Sequence, residues 1–348
     1  MPGALLRLAG AAAVAAQAVL APVPAAAAPE PQQSVAQLLT DLQRLYRQTE
    51  QATETYNGTT EKLTRQRAEV ARLDGELARA RRTLRAGRTD AGLLARRQYQ
   101  NGGGLGPYAR VLLAPDPQHA LDEGHVLGEL AREQARTVTR LATAEQRAGA
   151  LARAARKALD TQLGLAERQR RQRDDVRHGL DGVERLLAAL TPDQLAAVAR
   201  LEQQGVTEAQ ERLGSAGSLP ADRPATPQGD RAVGYAMQQL GKPYRWGAQG
   251  PDAYDCSGLT SQAWSHAGRP IPRTSQEQWD QLKRVPLNQL RPGDLVVYFP
   301  DATHVGLYVG AGRIVQAPRP GGRVTVSPMA AYPILGAVRP DTDRPVTT

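Results

Sequence analysis

The strongest constraint on this chain is a set of seam positions that keeps a four-and-three spacing from Leu38 to Leu84. Leu38, Leu42, Leu45, Thr49, Ala52, Tyr56, Thr59, Leu63, Gln66, Val70, Leu73, Leu77, Ala80 and Leu84 follow it without a slip. A repeat of 3.5 residues lines up one side of a helix for a partner helix, and the Arg, Glu, Gln and Asp between seam positions face water. The helix expected from Ser34 to about Gln100 would reach about 100 Å. Its Thr, Ala and Gln seam positions bury little, so it needs a partner. Leu127, Leu130, Gln134, Thr137, Leu141, Ala144, Ala148, Leu151, Ala155, Ala158, Gln162 and Leu165 supply one with the same spacing. The glycines between Asn101 and Pro107 end the first helix. The spacing therefore predicts an antiparallel coiled-coil hairpin with its tip at 101–122. Leu105, Val111, Leu112 and Leu113 at that tip either dock a partner or close the hairpin end.

After the hairpin, Thr191-Pro192-Asp193-Gln194 carries the signature of a helix start, with Thr as cap and Gln three residues on. A short helix to about Leu213 follows, and then a Pro-, Gly- and Ser-rich stretch that reads as a flexible linker. The chain thus divides into a signal peptide (1–28), an all-α helical domain (34–213), a linker (214–229) and a C-terminal domain (230–340). The signal peptide is read from Arg7, the apolar run Leu8 to Val23 and the small residues Ala25 to Ala28. It predicts a secreted protein that works outside the cell or in the cell wall. No later stretch approaches the ~20 apolar residues of a membrane span, so the mature chain is expected to lack one.

The chain has 348 residues, a net charge of +9 and 4% aromatics, with all three Trp and the only Phe in its last third. That asymmetry fits one compact domain beside a helical arm. Export removes nucleic acid as the partner of the positive charge. An anionic wall or membrane surface suits it, and so does a simple bias of genomic base composition toward Arg. No His/Cys cluster has metal-ligand spacing and no glycine loop suits a phosphate, so neither a metal nor another cofactor is expected.

Chemistry concentrates around Cys256, the only cysteine. It follows the turn-rich run Gly241 to Pro251 and opens a predicted helix through Trp264. A thiol there faces unpaired backbone N–H groups and the positive end of the helix dipole, which favour the nucleophilic thiolate. His304 lies in a predicted strand, Ala302 to Gly310. Gln316 lies on the next strand, across the Gly310-Ala311-Gly312 turn, where it can orient the imidazole. His266 lies about 15 Å along the helix from Cys256, out of reach as a base.

The blocks Gly241-Lys242-Pro243-Tyr244-Arg245-Trp246-Gly247, Asp255-Cys256-Ser257-Gly258-Leu259, Ile271-Pro272-Arg273-Thr274-Ser275, Leu290-Arg291-Pro292-Gly293-Asp294-Leu295-Val296, His304 to Gly310 and Ile314-Val315-Gln316-Ala317-Pro318 resemble, in this order, an NlpC/P60 domain. The resemblance implies a papain-like α+β fold and a cysteine peptidase that cuts the peptidoglycan stem peptide between D-glutamate and meso-diaminopimelate. It implies Cys256 as nucleophile, His304 as base and Gln316 in a third position that is often His in the family. It also implies Tyr244, Asp255 and Ser257 as substrate contacts, with Arg273 either a contact or a turn-stabilising residue. A helical hairpin before such a domain resembles exported wall hydrolases of actinobacteria, whose coiled coils meet a membrane complex linked to cell division. The expected protein is a secreted DL-endopeptidase for wall remodelling or daughter-cell separation, regulated by a coiled coil that can cover Cys256. An N-acetylmuramoyl-L-alanine amidase on the same fold and a non-catalytic wall or divisome adaptor remain as alternatives.

Overall fold

A computed structural model describes residues 34–101, 107–215 and 223–341. The signal peptide read at 1–28, and Leu105 of the tip, lie outside the described residues. No described helix is long and apolar enough to cross a membrane.

Helix α1 (Val35–Asn101) and helix α3 (Pro117–Ala189) form the hairpin, with the short α2 (Pro107–Leu112) at its tip. Every seam position from Leu38 to Leu84 is buried or half-buried, and on α3 only Leu130 of the predicted seam is exposed. Where leucines are scarce, polar side chains tie the helices. Gln66 donates to the Ala158 carbonyl at 2.9 Å, and Gln169 donates to the Thr60 hydroxyl at 2.9 Å. Gly179 lets the helices close up, because a Cβ there would lie 2.6 Å from Thr49 Oγ1. At the tip, Leu112 and Leu113 are 85% and 68% exposed, so they do not seal the hairpin end.

Helix α4 (Pro192–Ser215) starts with the reciprocal cap read from the sequence. Gln194 N–H donates to Thr191 Oγ1, and Thr191 N–H donates to the Gln194 side chain. It turns back against the open end of the hairpin, where Leu38, Leu42, Val183 and Val198 share one apolar cluster. The C-terminal domain begins with α5 (Pro227–Gln238), capped by Thr226, three residues before the expected boundary. Helices α6 (Cys256–His266) and α7 (Ser275–Gln281) follow.

Six strands then form one antiparallel sheet in the order β1-β6-β2-β3-β4-β5. They are β1 (Lys283–Val285), β2 (Leu295–Tyr298), β3 (His304–Gly310), β4 (Arg313–Gln316), β5 (Thr325–Pro328) and β6 (Ile334–Arg339). Alternation along β2 divides the core between the two faces of the sheet. Leu295 and Val297 pack with Ala232, Leu259 and Trp264 of α5 and α6. Val296 and Tyr298 pack on the other face with Ile314 and Met329, where Leu213 of α4 joins them. The fold is thus an α+β papain-like domain preceded by a coiled-coil arm. The arm does not stand clear of the domain. Gln210 of α4 bonds Gly312 and Ala330, Glu202 pairs with Arg319 at 2.6 Å, and Arg47 of α1 lies 3.6 Å from Asp301.

Candidate active site

Cys256 is the first residue of α6. Asp255 caps that helix in extended geometry, and its Oδ1 accepts the Gly258 N–H at 2.6 Å. Gly258 cannot be replaced cheaply, since a Cβ would stand 2.2 Å from the Ala248 carbonyl. The loop before the helix therefore rests directly on its first turn. The other carboxylate oxygen of Asp255 accepts from Gly247 N–H at 2.9 Å and from Arg273 Nη2 at 2.7 Å. Arg273 also donates to Ser257 Oγ at 2.7 Å, so one buried guanidinium ties both neighbours of the cysteine.

His304 opens β3 and is fully buried. Its Nε2–H donates to Gln316 Oε1 at 2.7 Å. With the Gln316 nitrogen donating to Ser327 Oγ at 2.9 Å, the amide presents its oxygen to the imidazole. The proton of a neutral imidazole is thus fixed on Nε2, leaving Nδ1 as the basic nitrogen. Nδ1 has no hydrogen-bond partner. The rings of Tyr332 and Tyr298 stand 4.9 and 5.8 Å from the imidazole and hold its tilt.

What fills the space in front of these groups is helix α1. Glu50, Thr53, Glu54 and Asn57 recur at helical spacing and are all buried, although none lies on the seam. They form a second face of α1, turned away from α3 and covered by the C-terminal domain. Glu54 Oε1 accepts from Ser257 Oγ at 2.7 Å and lies 4.0 Å from Cys256 Sγ. Its Oε2 accepts from the Ser275 N–H at 2.7 Å and the Ser275 hydroxyl at 3.1 Å. Asn57 donates to Asp255 at 3.1 Å, and Tyr56 meets the Trp246 ring edge-on at 5.1 Å. Glu50 Oε1 lies 3.4 Å from His304 Nδ1, and with no hydrogen bond at that nitrogen the contact is a charge pairing.

This surrounding reverses one expectation. The thiolate expected at the start of α6 is not what the environment favours. Burial pushes the Cys256 thiol well up, and the carboxylates of Glu54, Asp255 and Glu50 push it further, against Arg273. A helix dipole contributes about 0.3–1 kcal/mol at an exposed site and up to about 2 kcal/mol at a partly buried one, and it is outweighed here. For His304, burial works against the charged ring. The Glu50 carboxylate and the Gln316 amide more than offset it, and the imidazole is raised. With α1 in place, the pair is held as thiol and imidazolium-prone histidine, which is no nucleophile.

Of the residues singled out from sequence, Cys256, Asp255, Ser257 and Arg273 form one bonded cluster, and His304 and Gln316 form another. Glu50 and Glu54 bridge the two clusters. Tyr244 joins the first, since burial and then the Cys256, Asp255, Glu50 and Glu54 charges raise its phenol. Asp255 already serves the helix cap, Arg273, Gly247 and Asn57, so meeting a substrate amine would require at least Asn57 to leave. His266 lies at the far end of α6, stacked on Tyr235 at 4.0 Å. The sequence reading missed Glu50, Glu54, Asn57, Ser275 and Tyr332. Ser275 stood within a recognised block, Glu50, Glu54 and Asn57 carried no signal beyond polar residues at helical spacing, and Tyr332 lay outside every recognised block.

A six-stranded antiparallel sheet backed by helices, with a cysteine opening a helix and a histidine on the facing strand, defines the papain-like α+β class. Within that class, residues 241–334 match the NlpC/P60 family, and the C-terminal region of this chain is an NlpC/P60 domain. A probable endopeptidase of Corynebacterium glutamicum is 43% identical over 33% of this chain and 56% of its own length. A probable endopeptidase of Mycobacterium tuberculosis is 40% identical over 35% of this chain and 32% of its own length. The chain therefore spans between about a third and about half of these relatives. Among solved structures, the NlpC/p60 domain of the peptidoglycan hydrolase SagA is 30% identical, covering 32% of this chain and 97% of that one, with a TM-score of 0.30. RipD of Mycobacterium tuberculosis, described as a non-catalytic NlpC/p60 domain protein, is 29% identical over 33% of this chain and 98% of that one, with a TM-score of 0.30.

Proposed function

We propose that this protein is a secreted peptidoglycan endopeptidase of the cysteine type, held shut by its own coiled coil. The observation that carries the chemistry is the histidine bonded to Gln316, whose Nδ1 makes no hydrogen bond and faces Glu50, one helical turn from the Glu54 that meets Cys256. Once α1 leaves, His304 Nδ1 takes the Cys256 proton and the thiolate adds to a stem-peptide carbonyl. The oxyanion meets the N–H groups at the start of α6. The C–N bond breaks as His304 returns the proton to the leaving amine. Water then adds to the thioester, giving a carboxylate and restoring the thiol.

The bond cut is that between D-glutamate and meso-diaminopimelate. The pocket now holding Glu54 is lined by Ser257, the Ser275 N–H and its hydroxyl, with Arg273 behind them. Such a pocket suits the free α-carboxylate of a γ-linked glutamate. Tyr244, Asp255, Ser257 and Arg273 serve substrate binding in this reading. Regulation rests on the four buried residues of α1, which leave no room for a peptide. The names of the relatives support the endopeptidase assignment, and the partner that draws the hairpin away would be a membrane complex.

The test is digestion of purified sacculi by the full chain, its Cys256→Ala variant and a Glu54→Arg variant whose side chain cannot sit against Arg273. Glu54→Arg should release dipeptide-bearing glycan at least about tenfold faster than the parent chain, which corresponds to 1.4 kcal/mol of lost closure. Cys256→Ala should release none. Equal product from Glu54→Arg with and without Cys256→Ala would discard the nucleophile and bring the adaptor reading forward. Fragments freed at the lactyl amide would instead identify an amidase.

A further inference from the structure

A helix that simply capped this cleft would place neutral side chains in it, because a buried carboxylate loses its hydration. Helix α1 instead inserts two carboxylates one turn apart, Glu50 and Glu54, which are 6% and 2% exposed. Each meets one of the two reactive groups. Glu50 lies 3.4 Å from His304 Nδ1, and Glu54 lies 4.0 Å from Cys256 Sγ. The groups facing them come from three sides. The C-terminal domain presents Asp255, Arg273, Cys256, His304 and the phenols of Tyr244 and Tyr332. α1 itself adds Asn57, which donates to Glu54 at 3.3 Å. On the hairpin side, α3 meets this stretch through Gly179 at Thr49, and Glu202 of α4 is paired with Arg319. Asp255 and Glu54 share the single guanidinium of Arg273, and Glu50 has His304 beside it.

On the basis of the occlusion proposed above, we infer that buried Glu54 makes closure proton-linked, so that α1 grips the cleft on the acid side and releases it as pH rises. Burial and the Asp255 carboxylate push the Glu54 carboxyl up to about 7, against Arg273 and the Ser257 and Ser275 donors. A carboxyl raised in the shut state holds its proton more tightly there than in the open state. The advantage of closure is complete below the ordinary value of 4.5 and is lost as pH climbs through about 7. Between those two values lies a factor of about 300 in the ratio of open to shut chains. His304 and Cys256 act in the same sense, since both are raised beneath α1 and both hold their protons better there.

Cys256 is the sole cysteine, so its alkylation by iodoacetamide in the full chain reports opening directly. An uncovered thiol below its pKa gains about tenfold in rate per pH unit, following its thiolate fraction. Wild-type Cys256 should rise more steeply, gaining about a further hundredfold between about pH 5 and about pH 8. Glu54→Gln keeps the shape of the protonated acid and cannot titrate. It should stay shut, label about a hundredfold more slowly than wild type near pH 8, and match it within a few-fold near pH 5. Glu50→Gln, which removes the charge beside His304, should change the profile in the same direction.

The wild-type slope needs no variant and so does not depend on either substitution folding. Slow labelling whose slope is only that of a thiol, or Glu54→Gln labelling as fast as wild type at alkaline pH, overturns the proton linkage and leaves the occlusion standing. Labelling at the rate of a free thiol at every pH overturns the occlusion, and the linkage with it.

Discussion

Replacing Gln316 with leucine tests the group that orients His304. The two side chains are similar in bulk, so the change removes hydrogen bonds more than packing. Two groups lose a partner: His304 Nε2–H and the Ser327 hydroxyl. Ser327 is half-buried and can turn to water, whereas His304 is fully buried. The orphaned imidazole N–H should therefore carry most of the cost, about 1–3 kcal/mol of stability. The larger effect is on chemistry. Nothing then prefers the proton on Nε2, and an imidazole protonated on Nδ1 cannot accept the Cys256 proton. Groups that orient a reactive side chain through such a bond typically contribute 10–100-fold, so about that loss is expected in kcat, with KM nearly unchanged. Turnover of a soluble muropeptide at several pH values measures both. Gln316→Glu keeps an acceptor and adds a charge, so it should stay active with the ionisation of His304 moved upward. Gln316→Leu turning over at the parental rate would refute the claim that the amide fixes the histidine tautomer.

Two further substitutions probe the other half of the site. Arg273→Met leaves the buried Asp255 carboxylate without its cation and should lower stability by about 3–5 kcal/mol, read from urea unfolding followed by tryptophan fluorescence. An unchanged midpoint would mean that Asp255 is compensated elsewhere. Gly258→Ala drives a methyl into the Ala248 carbonyl and the Asp255 carboxylate. It should lower the melting temperature and abolish turnover, and a fully active, equally stable variant would contradict the close approach of that loop.

Much of the fold can be read residue by residue. The four-and-three spacing finds the hairpin because burial on a helix repeats with the turn, and nearly every seam residue predicted is covered. Thr191 and Gln194 announce the start of α4 because capping is local chemistry between neighbours. Cys256, His304 and Gln316 were visible because their blocks have specific residue types in a fixed order. The second buried face of α1 was not visible. Glu50, Thr53, Glu54 and Asn57 have the composition of a solvated face, and no periodicity separates a polar stripe that meets water from one that meets another domain.

The ionisation of Cys256 failed for the same reason. Reading it from the helix N-terminus uses only groups close in sequence, while Glu54 and Glu50 lie some two hundred residues earlier in the chain. The sequence alone determined the heptad helices, the caps and the order of the motif blocks, because each depends on contacts within a few turns or on residue type. Only the tertiary structure decided that a carboxylate-bearing face of α1 lies in the cleft. That placement depends on distant surfaces meeting, and the cost of burying two acids is met by donors and a guanidinium that only the folded domain brings together.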